Sequence, residues 1–327
     1  MQFILDRIKK AYQNKLPFVV YNKPNCSNVF GFFQNDPFLH TITSEFNKPG
    51  FVFAPFDASK ESIFFPLEKS EFISDSFIKQ EIEIDKKSII NTSSKEKHIK
   101  IVEKAIDAIN TNEFKKVVIS RKEIVALNRV EVAEIYNKLV QLYPNAFVYV
   151  WFHPQVGLWF GATPETLLKV ENSSFTTMSL AGTQVYKKDE NVSWNPKEIE
   201  EQQIVTDYIL NKLSNFSTNL KQLKTETIKA GSLLHLRTKI TGELQKDSLF
   251  SLVDLLHPTP AVCGLPKEKA KQFILENEDY SRSFYTGFLG ELNINSNSNL
   301  FVNLRCMEIK NNNAEIYAKS IINKNAI

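Results

Sequence analysis

A lysine at the head of an apolar run is the residue of this chain most in need of a chemical reason. Lys116 opens the segment Lys116-Val117-Val118-Ile119-Ser120-Arg121, which reads as a strand. Solvation gives a lysine no cause to sit there. Facing inward, its amine loses hydration, and desolvation favours the neutral, basic form. Glu165 is the matching acid. It ends Gly161-Ala162-Thr163-Pro164-Glu165, a strand-turn whose small residues let backbone or ligand approach closely. Buried there, its carboxyl keeps its proton and can give it away. A surface turn glutamate is the plain alternative.

Other residues could serve such a pair. Glu198 and Glu201 lie three apart on a polar helical stretch and share a face. They could hold Mg²⁺ through oxygen or form a solvated acidic stripe. Arg305 lies in the apolar run 300–307, expected to be one strand with its neighbours, 299–309. Its guanidinium could grip a carboxylate with two parallel hydrogen bonds, or make a structural salt bridge. His257 precedes Pro258-Thr259-Pro260, a loop stiff enough to aim it. His40, His98, His153 and His235 have no partner spacing and read as structural.

The elements that must position these residues follow from periodicity. Helical spacing marks 3–14, the stretch after Ser93, and 131–142, 196–213, 247–256 and 266–277. Ser93 with Glu96 fits a capping box, and Val102, Ala105, Ile106 and Ile109 form the inward face of that helix. The polar stretch 86–97 reads as an exposed connection. Strand-like runs fill 16–21, pieces of 28–85, 146–152, 157–162, 166–170, 174–181, 225–229, 233–243, 283–293, 299–309 and 314–319, with a turn over 295–299. Strands mostly follow strands, so regular βαβ alternation is absent. The expected fold class is α+β: large antiparallel β-sheets packed as a sandwich, with helices on the outside.

Composition narrows the classes. The chain has 327 residues, 43% hydrophobic and 24% charged, as a globular protein with a large core would. A net charge of +3 is too small to argue for nucleic acid. Cys26, Cys263 and Cys306 are far apart and odd in number, which suits reduced thiols. A membrane helix needs about 20 apolar residues, and the run 147–152 falls far short. Charges at Asp6, Arg7, Lys9 and Lys10 interrupt the start, unlike a signal peptide. A cytoplasmic monomer, binding neither membrane nor nucleic acid, is expected.

Order and combination add what single signals lack. The Lys116 and Glu165 segments, Leu180-Ala181-Gly182-Thr183, the Glu201 helix, His257-Pro258-Thr259-Pro260-Ala261-Val262-Cys263-Gly264, the segment 278–287 and the strand with Arg305 together resemble the chorismate-utilising enzyme family. The resemblance runs from about residue 93 to 318. It implies a variable N-terminal part, 1–92, and a chorismate-binding catalytic core, 93–327. Lysine at 116, where ammonia-using members typically have glutamine, points to the water-adding branch, isochorismate synthase. The resemblance then implies Lys116 as base, Glu165 as acid, and Glu201 as a ligand of Mg²⁺. Gly182 and Thr183, His257 and Arg305 would contact chorismate. Menaquinone or siderophore biosynthesis would use the product.

One departure stands out. The family pattern continues with a glycine-rich turn and a C-terminal helix bearing a metal-binding glutamate and a lysine. Here Lys319, Ser320 and Ile321 stand where the glycines are expected, and the sequence stops at Ile327. The resemblance therefore implies a core without one backbone carboxylate cradle and one metal ligand. A salicylate synthase and a truncated, inactive chorismate-binding relative stay open as alternatives.

Overall fold

The computed structural model describes residues 1–44, 46–80, 93–187, 192–230, 233–244 and 249–324. Helix α1 (Gln2–Gln13) precedes strands β1 (Phe18–Asn22), β2 (Asn28–Gln34), β3 (Thr41–Ile42), β4 (Gly50–Ala54), β5 (Ser62–Pro66) and β6 (Ser70–Ser76). Next come α2 (Ser93–Asn110), β7 (Lys116–Ala126), α3 (Val132–Leu142), β8 (Phe147–His153), β9 (Gly157–Thr163), β10 (Thr166–Glu171) and β11 (Ser174–Val185). Helix α4 (Pro196–Leu213) leads to β12 (Ser217–Gln222), β13 (Glu226–Ala230) and β14 (Leu233–Leu244). The chain closes with α5 (Leu249–Leu256), β15 (Gly264–Leu265), α6 (Lys267–Asn277), β16 (Phe288–Ile294), β17 (Asn297–Val302), β18 (Cys306–Lys310) and β19 (Asn313–Asn323).

Two antiparallel sheets face each other. The first has the order β15-β7-β19-β18-β9-β8-β1-β2-β6, and the second β12-β14-β11-β10-β17-β16-β4-β5-β3, with β13 also on β14. The layer between them is rich in aromatic rings. Phe53 lies 4.9 Å from Trp151 and 4.2 Å from Phe284, and Phe147 stacks on Phe301 at 4.2 Å. Burial on both faces explains why strands such as Phe147–His153 are apolar without alternation: the outer face of β8 is covered by α1 and α3 through Ile4, Ile8, Tyr136 and Val140. Helix α2 lays Ala105 and Ile109 on Val117 and Ile119 of β7, with Val102 and Ile106 partly buried beside them. The α+β sandwich with outer helices is thus present.

Three expectations need amending. The run 299–309 is two strands, β17 in one sheet and β18 in the other, and Asn303–Arg305 carries the chain across. Hydrophobicity ran on because both flanks are buried. Strand β12 was not anticipated; its polar residues lie on the edge of the second sheet. The capping box and most of the 86–97 connection concern residues 81–92 and the side chain of Ser93, which lie outside the described residues. Among the described residues no helix is long and apolar enough to cross a membrane.

Candidate active site

Strand alternation sets the direction of Lys116. Val117 and Ile119 point outward to α2, so Lys116, Val118 and Ser120 point the other way. Lys116 is completely buried, and its amine lies 3.4 Å from Glu201 Oε1. Burial lowers the pKa of that amine; Glu201 opposes the shift and Lys319 adds to it. The strand is tied down beyond the lysine. Glu278 accepts from Ser120 N at 2.6 Å and from Ser120 Oγ at 2.9 Å, and it pairs with the buried Arg282. Arg282 in turn donates to the carbonyls of Val118 and Val262, joining β7 to the loop after His257.

Glu201 projects from α4, which starts with Pro196 at a position where the missing N–H is no loss. One residue on, Gln202 fastens the helix to the second sheet. Its Oε1 accepts from Ala181 N at 2.8 Å, and its Nε2 donates to Ser179 O, Ser179 Oγ and Thr238 Oγ1. These bonds fix which face of α4 meets β11, and so place Glu201 (6% exposed) and Glu198 on the wall of one cavity.

That cavity has a volume of about 410 Å³, in the range of small-molecule sites. Pro164 and Glu165, between β9 and β10, form part of its wall. The sheet crossing at Leu304 and Arg305, and Tyr317, Lys319 and Ile321 of β19, form another. Glu165 is 2% exposed, and burial raises its pKa against the pull of Lys319, Lys116 and Arg305. The base and acid singled out in the sequence are therefore both shifted towards neutrality, from opposite sides. Arg305 has a positive φ of 49° at the crossing, and its Nη2 lies 3.0 Å from His235 Nε2. Lys319 donates to Ala261 O at 3.0 Å. Much of its side chain is accessible, and it is the cavity that it faces.

Gly182 takes a φ of 64° where the β11–β14 register slips by one residue. A side chain there would meet Glu198 of α4 at 3.2 Å, so the glycine allows the helix to sit close. Its carbonyl lies 3.1 Å from His235 Nδ1, and Thr183, its neighbour, lines the cavity. His257 is the exception among the expected contacts. It is buried on a different and smaller void, lies 3.0 Å from Pro55 O, and packs edge-on against Phe288. Burial pushes its pKa down to about 4. The structure does not bring His257, expected as a substrate contact, to this cavity, because the rigid loop aims it at the N-terminal strands instead.

His235, first read as structural, is a cavity residue, with its pKa pushed down to about 4 by burial and Arg305. Its partner is 70 residues away. The usable signal was the alternation of β14, which puts His235, Arg237 and Lys239 on the less buried face.

The profile of the family described as chorismate binding enzyme matches residues 59–320. The vibriobactin-specific isochorismate synthase of Vibrio cholerae is 26% identical over 242 residues, 70% of this chain and 61% of that protein. Component 1 of the anthranilate synthase of Lactococcus lactis is 27% identical over 250 residues, covering 72% of this chain and 54% of that one. The chain thus aligns with less than two thirds of these relatives' length. The structure of MenF, the menaquinone-specific isochorismate synthase of Escherichia coli, superposes with a TM-score of 0.77 at 20% identity, over 94% of this chain and 83% of that one. With the profile matched across most of the chain, residues 59–320, the chain belongs to the chorismate binding enzyme family.

Proposed function

We propose that the chain is an isochorismate synthase: water adds at C2 of chorismate, the double bonds shift, and the C4 hydroxyl leaves. The observation that carries this reading is the pair of opposed shifts, a carboxyl raised on the cavity wall and an amine lowered just behind it against Glu201. A neutral Lys116 takes the proton from the attacking water. A protonated Glu165 gives its proton to the departing oxygen. Proton transfers of this kind contribute about 10²–10⁴-fold each. Arg305 holds a carboxylate of the substrate, and Thr183, next to Gly182, bounds the cavity.

Mg²⁺ belongs to this reading, and the donors present suit it. Mg²⁺ commonly takes one or two protein carboxylates and completes its shell with substrate oxygens and water. Glu201 and Glu198, one turn apart on α4, are two such carboxylates on the cavity wall. Among the described residues no cluster of three or more acidic, histidine or cysteine side chains is assembled for a metal. The ion would depend on the substrate carboxylate, whose charge it neutralises. Three free thiols fit a reducing, cytoplasmic setting, and the product would serve menaquinone or siderophore biosynthesis.

Product analysis with the purified chain, chorismate and Mg²⁺ tests the proposal. Isochorismate is the expected product. Salicylate with pyruvate would move the chain to the lyase branch. A folded chain that yields nothing would overturn the catalytic reading.

A further inference from the structure

Lys319 lines the cavity, and the proposed reaction assigns it no task. It stands on β19, paired in register with Ser120 of β7, four residues along from Lys116 and on the same side of that strand. Its ammonium offers three donors. One goes to the carbonyl of Ala261, and among the described residues no carboxylate lies within ion-pair distance of it. A lysine whose amine is flanked by a neutral carbonyl and open cavity keeps donors for something that enters. Arg305 reaches the same cavity from the sheet crossing, a different part of the fold.

We infer that Lys319 is a substrate-positioning residue that binds a carboxylate of the ligand, so that Lys319 and Arg305 together select a dicarboxylate over a monocarboxylate. The inference rests on chorismate being the ligand, and it deepens that reading. The location explains the residue. An accessible ammonium that faces a cavity can meet an entering carboxylate through a charge-assisted hydrogen bond. The geometry also divides labour between the two lysines. Lys116 lies behind the wall, beside Glu201, whereas Lys319 faces the cavity.

Calorimetric titration of the full chain with chorismate, and separately with 4-hydroxybenzoate, which has a single carboxylate, tests this. The variants are Lys319→Met, Lys319→Gln and Lys319→Arg, with thermal melting as the folding control. In Lys319→Met and Lys319→Gln, chorismate affinity is expected to fall by about tenfold or more, the worth of one charge-assisted contact. The preference for chorismate over 4-hydroxybenzoate narrows in both, and Lys319→Arg restores it. Either neutral variant suffices if the other does not fold. Unchanged chorismate affinity in a folded neutral variant overturns the role of Lys319 and leaves the substrate reading standing. Failure of the wild-type chain to bind chorismate overturns both.

Discussion

The amine of Lys116 lies 3.4 Å from Glu201 Oε1, inside a wall that neither side chain could occupy alone at low cost. The pair links the base of the proposed reaction to the carboxylate proposed for the metal. Any ligand that draws on Glu201 changes the charge that Lys116 sees. The two roles cannot be tuned apart.

Lys116→Ala tests the base. Turnover of chorismate should drop by about 10²–10⁴-fold, the usual worth of a positioned general base. Calorimetry should still detect chorismate binding, because Arg305 and the rest of the cavity remain. A variant that turns over at the wild-type rate would transfer the role of base to another group.

Glu165 makes stability depend on pH in a definite sense. Its folded pKa is raised above the unfolded value, so its full contribution is present below the unfolded pKa and is lost as pH rises through the folded one. Glu165→Gln cannot ionise. Its melting temperature should match the wild type in acid and exceed it increasingly as pH climbs past the ordinary carboxyl range. A constant difference at all pH values would show that Glu165 does not keep its proton on folding. Activity should vanish in this variant despite the gain in stability.

Removing a carboxylate from α4 tests the metal. Glu201→Gln should raise the Mg²⁺ concentration for half-maximal activity by at least about tenfold, as loss of a ligand or its support commonly does. Superimposable metal titrations would place the ion away from α4.

Gln202→Leu tests the clamp behind the site. The N–H of Ala181 would lose its partner, at about 1–3 kcal/mol, measurable by urea denaturation. The Mg²⁺ response should weaken as well, since Glu201 rides on the same turn. If only stability changes, α4 is held by its apolar face and Gln202 does not set the position of Glu201.

Much of this architecture was legible in the sequence where one element answers to one face. Helix α4 begins and ends at the expected residues, because Pro196 marks its start and its periodicity is unbroken to Leu213. Lys116 was legible because a charge in an apolar strand has few explanations. The crossing at Asn303–Arg305 was not. Asn303 satisfies its amide through Tyr149 Oη and the carbonyl of Phe284, partners far off in sequence, so a corner between sheets looked like the middle of a strand. His235 and His257 exchanged roles for the same reason. What each meets is decided by strands distant in the chain; the alternation of β14 gives the face of His235 but not what lies opposite it.

The crossing also constrains how such a site can diverge. Arg305 is placed by the handover of the chain from one sheet to the other, so relocating its guanidinium would mean shifting one half of the sandwich against the other. Glu198, Thr183 and Lys319 are side chains on a helix and on strands, exchangeable without disturbing that handover. New ligand preferences in this scaffold should therefore accumulate at those three positions, while the arginine corner acts as a fixed datum against which every ligand is measured.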